Sequence, residues 1–268
     1  MISIILVLYN SKDYIYDCLN SIIDSKIMNV PHEILILNNN QNDHYELNNN
    51  KIKVIKSDSN IGYTSAINKL IQISKGDYIL TINPDVILNK NTLYDMHCII
   101  KNNKNIGVVG CRGLNTDKTL QISSRRRFPH IFTLLTRIGH SLNKTIINKY
   151  NYFDINSTDY YAVDSVSGSC MLFRRELYDK LNGFDERFFL YFEDTDFCIR
   201  SNLINYKVIY DPSSSYIHKN RGSVNKKNKY FVKFHFYLSM IKFLFKYYYE
   251  YKIFFVSLIL LIIIFKTI

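Results

Sequence analysis

The chain has 268 residues, a length typical of one large or two small domains. Hydrophobic residues make up 47% and charged residues 21%, values that exclude a disordered chain, a collagen or a disulfide scaffold. The net charge is +11, and the segment from Lys219 to Lys252 contributes +8 of it, from nine basic side chains and one acid. Such concentrated charge favours an anionic partner: membrane lipid, a nucleic acid or a phosphorylated substrate.

The first hundred residues alternate short β-branched runs with longer amphipathic stretches. We predict strands at 2–8, 33–37, 52–56 and 78–82, and helices at 13–25 and 64–74. Because a polar turn follows residues 2–8 at once, we interpret them as a first strand and not as a signal peptide. The alternation predicts βαβ units and a mainly parallel sheet.

Ligands of open α/β sheets bind at the carboxyl ends of the strands. The residues just past the predicted strands are therefore candidates for a site: Tyr9-Asn10, Asn38-Asn39-Asn40, Asp58-Ser59-Asn60 and Asn83-Pro84-Asp85. A carboxylate such as Asp85 can hold a divalent cation that bridges a diphosphate. Asn-Pro-Asp is also good turn chemistry in any protein, so a purely structural turn remains the alternative.

After about residue 100 the pattern changes. We predict strands at 107–110, 160–163 and 170–173, a basic loop at 125–129 and a helix at 193–203. Gly168 marks either an ordinary turn or a close backbone approach to a ligand. His218 follows a further apolar run, and a lone histidine is more often structural than a ligand.

Three carboxylates open the predicted helix 193–203: Glu193, Asp194 and Asp196. Acids at a helix N-terminus interact well with the helix dipole, which accounts for one or two of them. Three acids beside the aromatic run 188–192 favour one partly desolvated carboxylate with a raised pKa, as a general base requires.

The five cysteines are odd in number and form no Cys-x-x-Cys pair. This argues against a disulfide framework or a zinc cluster. We expect reduced, buried cysteines that pack as small hydrophobic side chains.

The C-terminal stretch combines a basic helical pattern at 230–251 with an uncharged run at 253–265. Thirteen helical residues span about 20 Å, which is short of the roughly 30 Å hydrocarbon core. We therefore favour a shallow or re-entrant membrane anchor over a single span. The alternative is that 253–265 packs as a buried helix against the rest of the chain or a partner subunit.

Taken in order, these segments resemble the family 2 glycosyltransferases with a GT-A fold, and most of all the rhamnosyltransferase-like branch that builds bacterial surface polysaccharides. The resemblance runs from residue 2 to about residue 225. Residues 167–175 and 183–196 carry it most strongly, and the segments 7–10, 60–63 and 83–85 match the nucleotide-side motifs.

The resemblance implies an α/β GT-A fold with a mainly parallel central sheet. Residues 1–100 would form the half that binds the nucleotide sugar. Residues 101–225 would form the acceptor-binding and catalytic half, and residues 226–268 a basic and apolar helical tail that associates with the membrane.

The resemblance also implies an inverting hexosyltransferase that moves rhamnose or another hexose from a dTDP- or UDP-sugar to a glycan or lipid-linked acceptor. Asp85 and His218 would bind Mg²⁺ or Mn²⁺. Asp194 would deprotonate the acceptor hydroxyl, with Glu193 and Asp196 flanking and orienting it. The donor would be bound by Tyr9, Asn10, Asn38, Asp58, Asn60, Gly62, Asn68 and Asn83. Residues 125–127 would contact the diphosphate or the acceptor, or form a solvated loop.

Three departures from the family pattern keep an alternative open. Leu8 replaces a frequent threonine, Asn38 replaces a frequent aspartate, and the metal motif has one carboxylate instead of two. The alternative is a weak or inactive member that binds nucleotide sugar or anionic lipid. A nucleic-acid-binding protein fits less well, because no nucleic-acid site needs the apolar run. We expect the cytoplasmic face of a bacterial plasma membrane, with peripheral or C-terminal attachment.

Overall fold

The computed structural model describes residues 1–45, 51–131, 133–134, 144–219 and 229–251. Within these residues the centre of the molecule is a nine-stranded sheet, with apolar clusters packed on both of its faces. The predicted α/β architecture is confirmed.

The first four strands form a parallel block. They are β1 (Ile2–Leu8), β2 (His32–Asn38), β3 (Ile52–Lys56) and β4 (Tyr78–Ile82). Their order across the sheet is β3-β2-β1-β4, and each neighbouring pair runs parallel. All seven residues of β1 are buried, as expected of a central strand covered on both faces. The four predicted strands are confirmed to within one residue at each end.

Helices α1 (Lys12–Ile23) and α2 (Tyr63–Ile73) cover opposite faces of this block. The even-numbered side chains of β1 pack with α1, whereas the apolar odd-numbered ones pack with α2, because successive strand side chains point to opposite faces. Helix α3 (Thr92–Asn102) follows β5 (Val86–Leu88) and joins the α1 side. The sequence analysis predicted neither β5 nor α3.

The second half of the chain completes the sheet. Its described elements are β6 (Ile106–Leu114), β7 (Arg125–Arg126), α4 (Lys144–Tyr150), β8 (Tyr161–Ala162), β9 (Ser165–Val166), β10 (Cys170–Arg174), α5 (Arg175–Lys180), α6 (Glu193–Leu203), β11 (Lys207–His218) and α7 (Lys229–Tyr247).

Strand β10 joins the two halves. It runs antiparallel between β4 and β6, so residues 1–100 and 101–225 contribute to one continuous sheet. Strand β11 then runs parallel to β6 and antiparallel to β5 and β8. The parallel prediction therefore holds for the first block, whereas the second is mixed. All five cysteines are free, and four of them are buried as predicted, whereas Cys98 is half-buried.

Helix α7 packs against the second half of the sheet domain. Its Met240, Phe243 and Leu244 join a buried cluster with Phe188 and Phe192. Within the described residues no helix is both long enough and apolar enough to cross a membrane. The uncharged run 253–265, on which the predicted anchor depends, lies outside those residues.

Candidate active site

A cavity of about 400 Å³ lies beyond the carboxyl ends of β1 and β4. Tyr9 and Asn83, which follow these two strands, both line it. The turn at 167–169 before β10 and His218 at the end of β11 line it from the second half. The sheet thus brings residues from both halves to one place, where α/β sheets bind ligands.

Asn39 takes the place in the cavity that the sequence analysis gave to Asn38. Its side-chain nitrogen donates to Asn60 Oδ1 at 2.9 Å, and its oxygen accepts the Ile61 N–H at 3.0 Å. Asn39 and Asn60 both line the cavity. The Asn38 amide instead donates to the Asp43 carbonyl at 2.8 Å, so it closes the loop after β2. Three successive asparagines gave no signal that could separate the two roles.

Three other predicted donor-binding residues lie outside the cavity lining. Asn68 is buried in α2, donates to the Phe184 carbonyl at 2.9 Å and accepts from the Tyr178 hydroxyl at 3.0 Å, so its amide is fully used in packing. Asn10 and Asp58 are exposed outside the cavity lining. None of these three side chains lines the cavity.

Gly62 shapes the cavity without lining it. It precedes α2 with φ of 85°, a conformation that glycine adopts without strain. A Cβ at this position would lie 2.6 Å from the Phe189 ring, and Phe189 lines the cavity. The role of Gly62 is therefore to admit the Phe189 ring.

Asp85 and His218 meet as the sequence analysis predicted. The antiparallel pairing of β5 with β11 places His218 opposite Val86. His218 Nε2 lies 3.1 Å from Asp85 Oδ1, and the Gln121 amide nitrogen lies 2.9 Å from His218 Nδ1. All three residues line the cavity, and the sequence gave no signal for Gln121.

These residues fit a cation only if a ligand completes its coordination. Among the described residues, no group of three or more histidine, cysteine, aspartate or glutamate side chains could hold a metal ion. Asp85 supplies one carboxylate and His218 one imidazole. Mg²⁺ is commonly bound through one or two carboxylates together with substrate phosphates. The donor set therefore suits a cation shared with a phosphate-bearing ligand.

The first turn of α6 brings two carboxylates, Glu193 and Asp194, to the cavity. Asp194 Oδ2 accepts from Arg126 at 2.6 Å and from the Gly168 N–H at 2.9 Å. Its Oδ1 accepts the N–H and the hydroxyl of Thr195, at 2.6 and 3.2 Å. A Cβ on Gly168 would lie 3.2 Å from the Asp194 Cβ. The absence of a side chain at Gly168 therefore lets its backbone lie close to the Asp194 side chain.

The environments of these two neighbours push their pKa values apart. Burial alone would raise the pKa of Asp194, but the Arg126 charge and the Gly168 and Thr195 hydrogen bonds outweigh it and lower that pKa. Burial, followed by the Asp194 charge, raises the pKa of Glu193 to about 8. Glu193 Oε2 is buried and has no hydrogen-bond partner among the described residues. These opposite shifts favour an ionised Asp194 and a protonated Glu193 at neutral pH.

Asp196 does not flank Asp194 in the cavity as predicted. It is fully buried and accepts hydrogen bonds from Arg200 at 2.7 Å and from the Tyr247 hydroxyl at 2.6 Å. The Lys246 ammonium also contacts it. A helix turns by about 100° per residue, which carries Asp196 away from the face that Asp194 presents to the cavity.

The three arginines of the predicted basic loop have three different roles. Arg125 is buried and donates to the Tyr210 hydroxyl at 3.1 Å, and Arg127 pairs with Asp154 at 2.8 Å. Arg126 alone of the three lines the cavity, where it pairs with Asp194. A run of identical residues could not show which one reaches the site.

Helix α7 supplies an apolar wall of the cavity that the sequence analysis did not predict. Phe231, Val232 and Phe236 line it from this helix, opposite the polar residues of the sheet. The C-terminal helix is therefore part of the candidate site.

Comparison with known proteins defines the class. The family model described as "Glycosyl transferase family 2" matches residues 3–181, and the chain therefore belongs to this family. It is 30% identical over 161 residues to the rhamnosyltransferase WbbL of Escherichia coli (strain K12), covering 59% of each chain. Over 193 residues it is 24% identical to the N-acetylglucosaminyl-diphospho-decaprenol L-rhamnosyltransferase of Mycobacterium tuberculosis (strain CDC 1551 / Oshkosh), covering 65% of this chain and 61% of that protein. The resemblance to rhamnosyltransferases is confirmed, and the chain spans about three fifths of these relatives.

Solved structures support the fold. The S. aureus TarS 1–349 structure matches with a TM-score of 0.56 at 20% identity, over 81% of this chain and 60% of that one. GalNAc-T7 with UDP, GalNAc and Mn²⁺ matches with a TM-score of 0.63 at 15% identity, over 82% of this chain and 44% of that one. These likenesses confirm the predicted GT-A fold and, at such identities, nothing beyond it.

Proposed function

We propose that this chain transfers a hexose from a nucleoside-diphosphate sugar to a hydroxyl group of a glycan or lipid-linked acceptor, with inversion. The observation that carries the proposal is the ionised Asp194, which lines the same cavity as Asp85 and His218. Its rhamnosyltransferase relatives favour rhamnose or another hexose as the sugar, and the proposed carrier is dTDP or UDP. The UDP and Mn²⁺ named with one structural neighbour support a nucleotide donor and a divalent cation.

The leaving group sets the first chemical requirement. Departure of a nucleoside diphosphate develops negative charge, which must be neutralised. Asp85 and His218 would hold Mg²⁺ or Mn²⁺ together with the diphosphate, and the bound cation would supply that neutralisation. Tyr9, Asn39 and Asn60 lie on the β1 side of the cavity, where the nucleoside would bind.

Removal of the acceptor proton is the second requirement. The raised pKa that the sequence analysis expected of the general base belongs to Glu193, whereas Asp194 is the carboxylate that can accept a proton at neutral pH. A carboxylate has about four lone-pair sites, and protein donors already occupy four on Asp194. The acceptor hydroxyl must therefore displace one donor, and the 3.2 Å bond from the Thr195 hydroxyl is the longest. A single displacement by the acceptor oxygen inverts the anomeric carbon.

Glu193 would act differently from its neighbour. Its protonated carboxyl can donate a hydrogen bond, and its unpartnered Oε2 can accept one. A substrate hydroxyl in the cavity would satisfy this buried atom. Ionisation of Glu193 above pH 8 would place two adjacent negative charges in the cavity, so we expect activity to fall there.

Paired variants that each replace one oxygen by nitrogen test the proposal. We expect Asp194→Asn to lower kcat by at least about a hundredfold, because the proton acceptor is lost. Glu193→Gln should stay within about tenfold of wild type, because the amide still donates a hydrogen bond. Nucleoside diphosphate release from dTDP- and UDP-sugars, with a soluble acceptor, measures both.

The pH dependence separates the two carboxylates. Wild-type activity should fall as the pH rises through about 8, and Glu193→Gln should remove this decline, because the group that titrates there is gone. Activity that rises through pH 8, together with an inactive Glu193→Gln, would make Glu193 the base. No turnover of any donor by the wild type would favour the weak or inactive family member.

Removal of divalent cations should abolish transfer, because Asp85 and His218 would leave the diphosphate charge uncompensated. Asp85→Asn keeps the size of the side chain and removes its charge, so it should raise the Mn²⁺ concentration for half-maximal activity. Asp58→Asn, at an exposed position outside the cavity lining, is the matched control. Full activity of a metal-free preparation in excess EDTA would contradict the cation proposal.

We also propose attachment to the cytoplasmic face of a bacterial plasma membrane. The start of α7 exposes Tyr230 and Phe234, which are 83% and 62% accessible, with the exposed Lys233 between them. Aromatic rings and lysines of this kind are typical of surfaces that lie at a membrane interface. Each basic side chain near an anionic leaflet adds about 1 kcal/mol to binding.

Truncation after Lys252 tests the attachment. It removes residues 253–268 and leaves α7 intact with its contacts. We expect the truncated chain to float less with anionic liposomes than the full chain does, because only the exposed basic and aromatic residues of α7 remain, and to keep its activity on a soluble acceptor. Flotation that equals that of the full chain would contradict an anchor in 253–268, and flotation of neither protein would contradict membrane attachment altogether.

A further inference from the structure

Helix α6 carries acids on two of its sides. Glu193 and Asp194 line the cavity, while Asp196 is completely buried between α6 and α7. All three belong to one helical turn, so the position of Asp196 fixes that of the other two.

Two of the three side chains bound to Asp196 come from the C-terminal helix. Arg200, on α6 itself, binds Oδ2. The Lys246 ammonium and the Tyr247 hydroxyl both bind Oδ1. Lys246 also binds Asp185 Oδ2 at 2.7 Å. The same ammonium therefore contacts both α6 and the segment that precedes α6. The cost of burying the Asp196 charge is therefore met largely by α7.

The residues that lead into α6 are also held in place by contacts with α7. Phe192 precedes α6 with φ of 68°, a left-handed conformation that is unfavourable for a bulky residue and needs support from its surroundings. Its ring packs against Phe236 and Phe243 of α7, with centroid separations of 5.6 and 5.2 Å. Ser239 Oγ donates to the Leu190 carbonyl at 2.8 Å.

We propose that Lys246 and Tyr247 are positioning residues for the transfer reaction, which hold the first turn of α6 so that Asp194 and Glu193 face the cavity. This inference rests on the proposed function. Removal of the Lys246 charge would leave the buried Asp196 with an incomplete set of partners, and breaking a buried ion pair in this way is strongly destabilising. We expect the first turn of α6 to move in response. Such a movement would displace both cavity carboxylates, and small displacements of reacting groups are costly in rate.

Lys246→Met tests the proposal because it keeps the apolar stem and removes the charge. We expect kcat to fall by at least about tenfold, with the donor KM within about twofold of wild type. Lys246→Arg should recover most of the loss, since arginine restores the charge and the donors. Lys242→Met is the matched control: Lys242 lies one turn earlier and binds only the Arg187 carbonyl in the described contacts, so its kcat should be unchanged.

Two further measurements keep the test independent of folding and of turnover. Tyr247→Phe removes one hydroxyl and should fold even if Lys246→Met does not, with a smaller loss of kcat in the same direction. The carboxyl ¹³C signal of Glu193, in protein labelled on its six glutamates, reports the position of α6 without any substrate. In Lys246→Met the midpoint of the Glu193 titration should shift away from about pH 8.

The proposal is overturned if both Lys246→Met and Tyr247→Phe keep wild-type kcat per folded molecule and leave the Glu193 midpoint unchanged. That outcome would mean that α7 only stabilises the fold. Failure of the proposed function gives a different result: the wild type would turn over no donor, while the Glu193 midpoint would still respond to Lys246→Met.

Discussion

Two adjacent carboxylates in a buried cavity cannot both carry charge unless a cation compensates one of them, and the cation Arg126 forms its ion pair with Asp194. Despite burial, this ion pair lowers the pKa of Asp194, whereas burial and the Asp194 charge raise the pKa of Glu193. The ion pair depends on the pairing of β7 with β9, which places Arg126 opposite Ser165 and leads the chain into the turn at Gly168. The backbone of that turn then donates to the same Asp194 oxygen as Arg126.

The sheet and the C-terminal helix approach this pair from opposite sides. Strands β5 and β11 bring Asp85 against His218, on the side where a diphosphate would bind. Helix α7 closes the other side with apolar residues and binds Asp196 behind the carboxylates. The basic C-terminal stretch therefore contains a helix that lines the candidate site, in addition to any role at a membrane.

The sequence predicted the parallel block and the first turn of α6 well, because alternating β-branched strands and a cluster of acids are local signals. It could not assign Asn39 in place of Asn38, or Arg126 within a run of three arginines, since those roles depend on which side chain faces inward. The resemblance predicts Asn68 and Asp196 in the site, yet both are buried in packing contacts. Partners distant in sequence, such as Lys246 for Asp196, are decided by tertiary structure alone.

The central claim is that Glu193 is protonated and Asp194 ionised at neutral pH. Titration of the carboxyl ¹³C signals in glutamate-labelled protein, wild type against Glu193→Gln, tests it most directly. We predict one glutamate signal with a midpoint near pH 8 in the wild type, absent from Glu193→Gln. Glutamate signals that all titrate near the usual pKa of about 4.3 would contradict the account.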